Sequence, residues 1–500
     1  MKKILINENP WQTRIAITKD DILQNIYFAA HVENPLERVF FKGIVTKVLP
    51  GIQTAFIDIG QEKAGFLHIS EIDRELAIDR MSDIDTDEPI KTPTTRLRQN
   101  IDISDILKEG EPILVQVSKE PVYEKGAKLT TCFTLPGRFI VLMPNIPRIG
   151  ISKKIEDREE RHRLKDILRE LLPESMGAII RTTSDGHSKE EIKKDVDFLV
   201  DTWNTIQKKF ATAQVKEQIH QDIELPLQIV RDHLDNDVEE VISDTKESQR
   251  KIYNFVKSMA PEYSQRIKLY EGHESLFNHF NIEKQIEGAL DRKAPLKSGG
   301  SLIIEITEAM CVIDVNTGKF TGKKNLEETI LKTNLEAAEE IVRQLRLRNI
   351  GGLIVIDFID MATGNNRQKL FKFFEKTLRE QDKFQSVVLK VSEFGLVQMT
   401  RKRSGKSLIQ QLTDTCQTCK GLGFVRSLET ESYAILRALK GAVHSKPNAN
   451  ITLNVCEDIF NYITNTEYNS ILEIEKQYKC KVTLVSHKSY KINQYKIEKN

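Results

Sequence analysis

Two aliphatic segments of the sequence end in acidic and amide residues that could bind a catalytic metal ion. Residues 311–316 read Cys-Val-Ile-Asp-Val-Asn, and residues 353–360 read Leu-Ile-Val-Ile-Asp-Phe-Ile-Asp. In a strand, side chains two positions apart share a face, so Asp314 and Asn316 project together. Asp357 follows an aliphatic run near the carboxyl end of its strand, where α/β sheets place their chemistry. We therefore expect these side chains to form one site.

Two carboxylates on adjacent strands repel each other unless a cation lies between them, and an unpaired buried carboxylate is costly. Magnesium suits such a pair, because it takes one or two carboxylates and keeps several waters. The ion can activate water and stabilise charge on a phosphoryl oxygen. The alternative is that Asp314 and Asp357 cap strands or pair with arginines. Asp360 is the weaker neighbour, since a three-residue step need not bring it to the same ion.

The surrounding elements predict an α/β unit. Residues 302–306 and 311–316 have strand character, and residues 325–348 carry apolar residues at helical spacing. Acidic residues at the start of this helix and arginines near its end complement the helix dipole. From residue 301 onward, strands and helices alternate, which is typical of an α/β domain.

Short strands broken by glycines between residues 38 and 70, resuming at 113–117, predict a small barrel. The acidic stretch 73–107 interrupts it and is interpreted as a loop insertion. We also expect a strand at 139–143 and helices near 156–172, 189–211 and 234–258.

Cys416-Gln-Thr-Cys419, followed by Lys-Gly-Leu-Gly, has the spacing of half a zinc site. A structural zinc needs four ligands, and the chain contains no second C-x-x-C. Cys456 and Cys480 could complete the site, the pair could be redox-active, or two chains could share one zinc. The six cysteines do not form a disulfide framework, which indicates a reducing, cytoplasmic setting.

Bulk composition sets wider limits. With 500 residues, several packed units are expected, and 39% hydrophobic with 29% charged residues fits a soluble globular protein. We find neither an apolar run of about 18 residues that would span a membrane nor a secretory signal. The net charge of +1 neither supports nor excludes a nucleic-acid partner, because binding needs only a local basic surface.

Motifs along nearly the whole chain resemble those of the ribonuclease E/G family. They are Gln24–Tyr27, Pro50–Asp58, Leu142–Asn145, Ile180–Thr182, Ser298–Ser301, Ile313–Asn316, Asn334–Ala338, Arg343–Arg348, Gly351–Met361 and the Cys416/Cys419 pair. The block from 298 to 361 is the most specific. Because the long disordered C-terminal scaffold of ribonuclease E is missing, we expect the compact ribonuclease G type.

The resemblance implies a multidomain architecture of α/β and β units. A non-catalytic RNase H-like unit would be split around an S1-type OB barrel and a 5′-sensor, and a DNase I-like catalytic α/β unit, a zinc link and a small α/β dimerisation domain would follow. The implied boundaries are 1–35 with 226–289 for the RNase H-like unit, 36–131 for the barrel, 132–225 for the sensor, 290–412 for the catalytic unit, 413–426 for the link and 427–500 for the last domain.

The resemblance also implies an activity. Asp314 and Asp357 match magnesium-binding catalytic aspartates, and Asn316 matches their supporting asparagine. The implied enzyme is an endoribonuclease that hydrolyses single-stranded, often A/U-rich RNA to 5′-phosphate and 3′-hydroxyl ends, in rRNA processing and mRNA decay. Cys416 and Cys419 match a zinc pair that joins two protomers, which implies a homodimer or a dimer of dimers.

Further residues match binding positions of the family. Phe56, Phe66, Lys119 and Lys125 match RNA contacts, although barrel core and solvated lysines are the alternatives from the residues alone. A second set matches a pocket for a 5′-monophosphate. It consists of Gly137, Val141, Arg181 and Thr182.

An arginine fork with hydroxyl and backbone N–H groups suits a phosphate dianion, although an ordinary surface ion pair is the alternative. The sequence departs from the family after Thr182, where Thr183-Ser184-Asp185 replaces Ala-Gly and adds a carboxylate near an anion site. The rival hypothesis is a non-catalytic RNA-binding and assembly module, and a redox protein is a third. Asp314 and Asp357 discriminate, because a pure binder needs neither carboxylate.

Overall fold

The structure is a computed structural model. It describes residues 1–30, 36–72, 84–85, 102–121, 126–155, 157–317, 326–392, 394–402, 405–444 and 450–499. Lys125 and most of the predicted insertion 73–107 lie outside these ranges. The chain divides into two compact units, residues 1–411 and 412–500.

The first sheet joins two distant parts of the sequence. Its five strands lie in the order Ile267–Leu269, Val238–Ser243, Lys2–Asn9, Gln12–Lys19 and Ile22–Ala30. The three N-terminal strands pair antiparallel, while Lys2–Asn9 and Val238–Ser243 run parallel. A continuous core forms because Ile4 and Ile6 pack with Val238, Val241 and the helix Lys246–Met259.

The second sheet forms a closed barrel, as the sequence predicts. Its strands are Phe40–Leu49, Thr54–Asp58, Gly65–His68, Lys128–Thr130 and Pro112–Lys119, and the last pairs back with the first. Gln218–His220 adds a short sixth strand to Phe40–Leu49. Apolar side chains of alternate residues, among them Ile57, Leu67 and Val115, fill the interior.

The third sheet has the strand order Leu135–Pro136, Ile140–Met143, Gly177–Ile180, Ile149–Ser152 and Ile84–Asp85. The helices Arg158–Leu171 and Lys189–Thr212 pack on it through Leu164, Leu168 and Val196. Both helices lie where their apolar spacing predicts. Asp157 and Ser188 cap their first turns, which fixes where each helix begins.

The fourth sheet carries the candidate site. Its strands lie in the order Lys293–Pro295, Ser301–Ile306, Met310–Asn316, Gly352–Asp357, Leu396–Arg401 and Ser386–Val388. The strand Met310–Asn316 runs parallel to Gly352–Asp357, whereas all the other pairings are antiparallel. The sheet is therefore mixed. The helices Leu326–Leu347 and Gly364–Gln381 cover one of its faces.

The second unit, residues 412–500, contains a three-stranded sheet in the order Lys481–Ser486, Asn450–Val455 and Lys496–Lys499. Helices from Leu428–His444, Glu457–Asn465 and Tyr468–Tyr478 pack against it. The remaining helices of the described chain are Ile103–Ile106, Leu225–His233, Leu276–His279, Ile282–Leu290 and Leu408–Leu412. Among the described residues, every helix is too short or too polar to cross a lipid bilayer.

One predicted helix is wrong. The sequence pattern favours a helix over 234–258, but the structure has a strand at Val238–Ser243 and a helix only from Lys246 to Met259. The N–H of Val238 donates to the carbonyl of Asp235 and closes a turn there. The apolar residues that follow then pair with Lys2–Asn9, a contact from the other end of the sequence that local periodicity cannot reveal.

Candidate active site

Asp314 and Asp357 are brought side by side by strand register. The parallel pairing of Met310–Asn316 with Gly352–Asp357 places Asp314 directly opposite Asp357. The Asn316 side chain amide donates to Asp314 Oδ2 over 2.7 Å. These residues line a cleft of about 410 Å³. The other lining residues are Val315, Thr317, Phe358, Ile359, Asp360 and Phe394.

The cleft lies on the open face of the sheet, because burial alternates along both strands. Ile313 and Ile356 are buried under the two helices, while Asp314 is half-buried and Asp357 is exposed. The aliphatic run before Asp357 therefore does not indicate a strand buried on both faces. Ile354 and Ile356 face the helices, and Asp357, on the opposite face of the strand, lines the cleft.

Negative charge accumulates in the cleft. Burial raises the pKa of Asp357, and the nearby carboxylates of Asp314 and Asp360 raise it further. Like charges held this close favour either a proton or a cation between them. Among the described residues, no three His, Cys, Asp or Glu side chains group as a metal cluster. A magnesium ion needs only one or two carboxylates, so the donor set fits it.

A buried asparagine holds the backbone between Asp357 and Asp360. Asn334 is fully buried, its amide donates to the carbonyl of Ile359 over 2.8 Å, and its oxygen accepts from the N–H of Ile359 over 3.1 Å. Nearby, Glu327 accepts from the backbone N–H of Thr363, and this bond is the main cause that lowers its pKa. The segment after Asp357 is thus tied to the helix Leu326–Leu347.

The sequence contains a signal for the buried role of Asn334. Asn334 lies in line with Ile330, Ala337 and Ile341 on the apolar face of the predicted helix. A polar residue in such a row needs a buried hydrogen-bond partner. For three other residues of the candidate sites the sequence offers no comparable signal: Asp195, Asp232 and Phe394.

The barrel places the two predicted aromatic residues side by side. Phe56 lies opposite Phe66 on neighbouring strands. Both are half-buried and lie outside the apolar cluster that fills the barrel. Phe66 pairs in register with Lys128, and Lys128 with Lys119. Lys119 is exposed, while Lys128 forms an ion pair with Glu71.

Arg181 already has an acidic partner. Its guanidinium donates to Asp232 Oδ1 over 2.8 Å and to the carbonyl of Gly137 over 2.5 Å. Burial alone would raise the pKa of Asp232, but Arg181 and Arg231 together lower it to about 2. Asp232 is therefore ionised at neutral pH. Val141 lies in the strand next to this loop, in register with Ile179.

The loop beside Gly137 is held by a second carboxylate. Asp195 accepts from the N–H groups of Arg138, Phe139 and Ile140 over 3.1, 2.9 and 3.2 Å. Burial raises the pKa of Asp195, and these hydrogen bonds oppose the increase.

Thr182 begins a short turn, Thr182–Ser184, that the N–H of Asp185 closes on the carbonyl of Thr182. The sequence predicts that Asp185 places a carboxylate near the anion site and so weakens it. The carboxylate paired with Arg181 is instead Asp232. The charge of Asp185 acts with Glu160, the main cause, to raise the pKa of Arg163.

The cysteine pair lies in a tight turn of the second unit. Hydrogen bonds to the Cys416 sulfur from the backbone N–H groups of Cys419 and Thr418 lower its pKa to about 7. Cys456 is buried in the core of this unit, and Cys480 packs against it. Neither forms a group of three with the pair among the described residues. The alternative in which Cys456 and Cys480 complete the site has no support.

Three profiles of known proteins match this chain. The S1 RNA binding domain matches residues 39–131, which makes the chain an RNA-binding protein. The Ribonuclease E/G family matches residues 134–404, and the thioredoxin-like domain of RNase E/G matches residues 415–500.

Individual relatives extend over nearly the full chain. Ribonuclease G of Haemophilus influenzae is 37% identical over 496 residues, 99% of each chain. Ribonuclease G of Escherichia coli K12 is 36% identical over 473 residues, 95% of this chain and 94% of that protein. Ribonuclease E of the same strain is 36% identical over 479 residues, but these cover only 44% of that protein. The chain belongs to the ribonuclease E/G family.

Replacing Asn334 tests whether its side chain fixes the backbone of the cleft. Asn334→Ala leaves the N–H and the carbonyl of Ile359 without partners, so we expect the free energy of unfolding to fall by about 2 kcal/mol. Hydrogen exchange at Ile359 should accelerate. Thr333→Val is the control, because in the described part of the chain the Thr333 hydroxyl bonds within its own helix, to the carbonyl of Thr329. Equal exchange at Ile359 in both variants would contradict the assigned role.

Proposed function

We propose that this chain is a magnesium-dependent endoribonuclease that hydrolyses single-stranded, A/U-rich RNA and leaves 5′-phosphate and 3′-hydroxyl ends. Membership in the ribonuclease E/G family makes it an endoribonuclease of that type. The metal, the preferred strand state and the product ends are the proposed part. The observation that carries the proposal is Asp314 lying directly opposite Asp357, with Asn316 bonded to Asp314, in an open polar cleft.

Asp314 and Asp357 would hold the ion, because two negative charges held this close favour a cation between them. A bound magnesium would activate water and stabilise charge on the phosphoryl oxygens. Asn316 donates to one oxygen of Asp314 and so fixes the orientation of that carboxylate, leaving its other oxygen for the cation. Because both carboxylates are open to solvent on one side, a hydrated ion and a phosphodiester have room to enter.

The barrel supplies a separate surface for the RNA. Phe56 and Phe66 present a pair of rings outside the barrel core, on which bases of any sequence can stack. Lys119, with Lys125 outside the described residues, would attract the phosphate backbone. Such a surface binds single strands better than duplexes, because the bases must be unpaired to reach the rings.

Substitutions that remove one carboxylate charge from the cleft test the activity. We expect Asp314→Asn and Asp357→Asn each to abolish cleavage of a fluorescent, 5′-monophosphorylated single-stranded RNA, because neither variant keeps both carboxylates for the ion. RNA affinity should be largely unchanged. Wild type should lose cleavage when magnesium is chelated.

Asp201→Asn is the matched control, since Asp201 is exposed on the helix Lys189–Thr212. This variant should cleave the RNA as wild type does. Full cleavage by either cleft variant would refute the metal assignment. Tight RNA binding without cleavage by wild type would support the non-catalytic binding module instead.

We also propose that Arg181 and Thr182, with the backbone of Gly137 and Val141, bind a 5′-monophosphate. The partly buried guanidinium of Arg181, which lies beside the loop of Gly137, supports this position. The Arg181 guanidinium is paired with Asp232, so an arriving phosphate must compete with the Asp232 carboxylate. The competition would weaken 5′-end preference without removing it.

The 5′-end proposal is tested by comparing cleavage of RNA with a 5′-monophosphate and with a 5′-hydroxyl. Arg181→Gln should reduce the preference for the monophosphate to near unity and leave cleavage of the hydroxyl substrate unchanged. Asp232→Asn should strengthen the preference, because it removes the competing charge. Asp185→Asn serves as the control and should behave as wild type. An unaltered preference in Arg181→Gln would exclude this pocket.

We propose a zinc ion shared between two copies of the chain, with Cys416 and Cys419 from each. The hydrogen bonds to the Cys416 sulfur favour the thiolate, which is the form that binds zinc. Since a tetrahedral site needs two more ligands, a second copy is the natural source. The pair lies in a turn well before the helix Leu428–His444, which disfavours a redox pair at a helix start.

The shared zinc predicts the oligomeric state. Cys416→Ser combined with Cys419→Ser should give monomers without bound zinc, measured by light scattering and elemental analysis. Cys480→Ser, which alters a cysteine outside the pair, should remain dimeric or a dimer of dimers with zinc bound. Dimers that persist without zinc in the double variant would disprove the shared site.

Finer assignments rest on the family resemblance and are proposed with it. We infer an RNase H-like unit for the sheet that joins Lys2–Ala30 with residues 238–269, and a DNase I-like unit for the sheet of the cleft. We also infer a role in rRNA processing and mRNA decay, in the cytoplasm. The cysteines, of which none forms a disulfide among the described residues, suit that compartment.

A further inference from the structure

An unexplained aromatic residue lies at the candidate cleavage site. The Phe394 side chain is 79% exposed, and it lines the same cleft as Asp314 and Asp357. Single exposed apolar residues are common on protein surfaces and need no function. Phe394 differs because its surroundings are a cleft lined mainly by carboxylate, amide and backbone groups, where an apolar ring gains nothing from packing.

The backbone around Phe394 is held close to the acidic residues. The N–H of Ser392 donates to the carbonyl of Leu396 over 2.9 Å, and the N–H of Gly395 donates to the carbonyl of Ser392 over 3.2 Å. Leu396 begins the next strand directly opposite Asp357. Phe394 is only two residues from Leu396, so the chain between them spans about 7 Å at most.

Gly395 brings this turn against the rim of the cleft. Its φ of +75° is in the left-handed region, and a Cβ there would come within 3.0 Å of Asp360 Oδ1 and of the carbonyl oxygen of Phe358. A side chain here would crowd both groups, and the positive φ would add backbone strain. Phe394 therefore directly precedes a residue that packs against Phe358 and Asp360 and leads into the strand opposite Asp357.

We propose that Phe394 is a base-stacking residue of the cleavage site, with its ring against a nucleobase that flanks the phosphate at Asp314 and Asp357. This inference rests on the proposed function. A polynucleotide with its phosphate at the carboxylates must place the neighbouring bases along the cleft, and each base has an apolar face that an exposed ring can cover.

The position of the ring gives a reason for single-strand preference at the chemical step itself. In a duplex, each base is already stacked and paired, so it cannot turn onto Phe394 without a cost in unstacking. An unpaired base meets no such cost. Phe394 would thus add selection at the cleavage site to the binding by Phe56 and Phe66 on the barrel.

The test pairs enzyme variants with substrates that lack one base. A series of 5′-monophosphorylated RNAs carries a single abasic nucleotide at each position near one cleavage site, and kcat/KM is measured for wild type and Phe394→Leu. On intact RNA, we expect kcat/KM of Phe394→Leu to be about tenfold or more below that of wild type. With wild type, one abasic position should lower kcat/KM by about the same factor. With Phe394→Leu, the same abasic position should lower kcat/KM no further.

Phe394→Trp keeps an aromatic face and should retain most activity. Phe198→Leu is the matched control, since Phe198 is another exposed phenylalanine, on the helix Lys189–Thr212, and its loss should have no effect. Because Phe394 is exposed, the thermal unfolding midpoint of its variants should match that of wild type.

Two failures can be told apart. If wild type cleaves intact RNA and Phe394→Leu cleaves equally well, or if the variant and every abasic position lower kcat/KM independently, stacking on Phe394 is refuted while the nuclease stands. If wild type does not cleave intact RNA under any magnesium condition, the proposed function itself fails, and this inference fails with it.

Discussion

The repulsion between Asp314 and Asp357 is the interaction on which the site depends. Parallel register places the two carboxylates directly opposite each other, and Asp360 adds a third negative charge nearby. Such an arrangement is unfavourable unless something positive joins it, and this repulsion adds to the effect of burial in raising the pKa of Asp357. The cation that relieves the repulsion is also the one that phosphodiester hydrolysis needs, so one constraint links stability and chemistry.

Much of the surrounding structure can be understood as holding this arrangement in place. Asn334 fixes the backbone of Ile359, just after Asp357. On the far side of the sheet, buried Arg401 forms two hydrogen bonds to Asp382, at 2.6 and 3.0 Å, and ties the neighbouring strand to the end of the helix Gly364–Gln381. Rigid support of this kind keeps two like charges close when the chain would otherwise separate them.

The sequence predicts the parts of the site that depend on local pattern. Period-two alternation reveals that Asp314 and Asn316 share a face, and the aliphatic run shows where the strand of Asp357 lies. Local pattern cannot reveal that Asp232 lies beside Arg181, because these residues meet only when the helix Leu225–His233 packs near the strand Gly177–Ile180. The erroneous helix at 234–258 has the same origin, since a strand partner 236 to 237 residues away, from Lys2 opposite Val238 to Ile6 opposite Ser243, decides that segment.

The most direct test of the metal claim measures the ion rather than the reaction. Manganese, a paramagnetic substitute for magnesium, can be titrated into wild type, Asp314→Asn and Asp357→Asn, and the free ion followed by electron paramagnetic resonance. We predict that wild type binds manganese and releases it to excess magnesium, and that both variants lose this binding while still binding RNA. Equal, magnesium-sensitive binding in all three proteins would contradict the claim that these two carboxylates hold the catalytic ion.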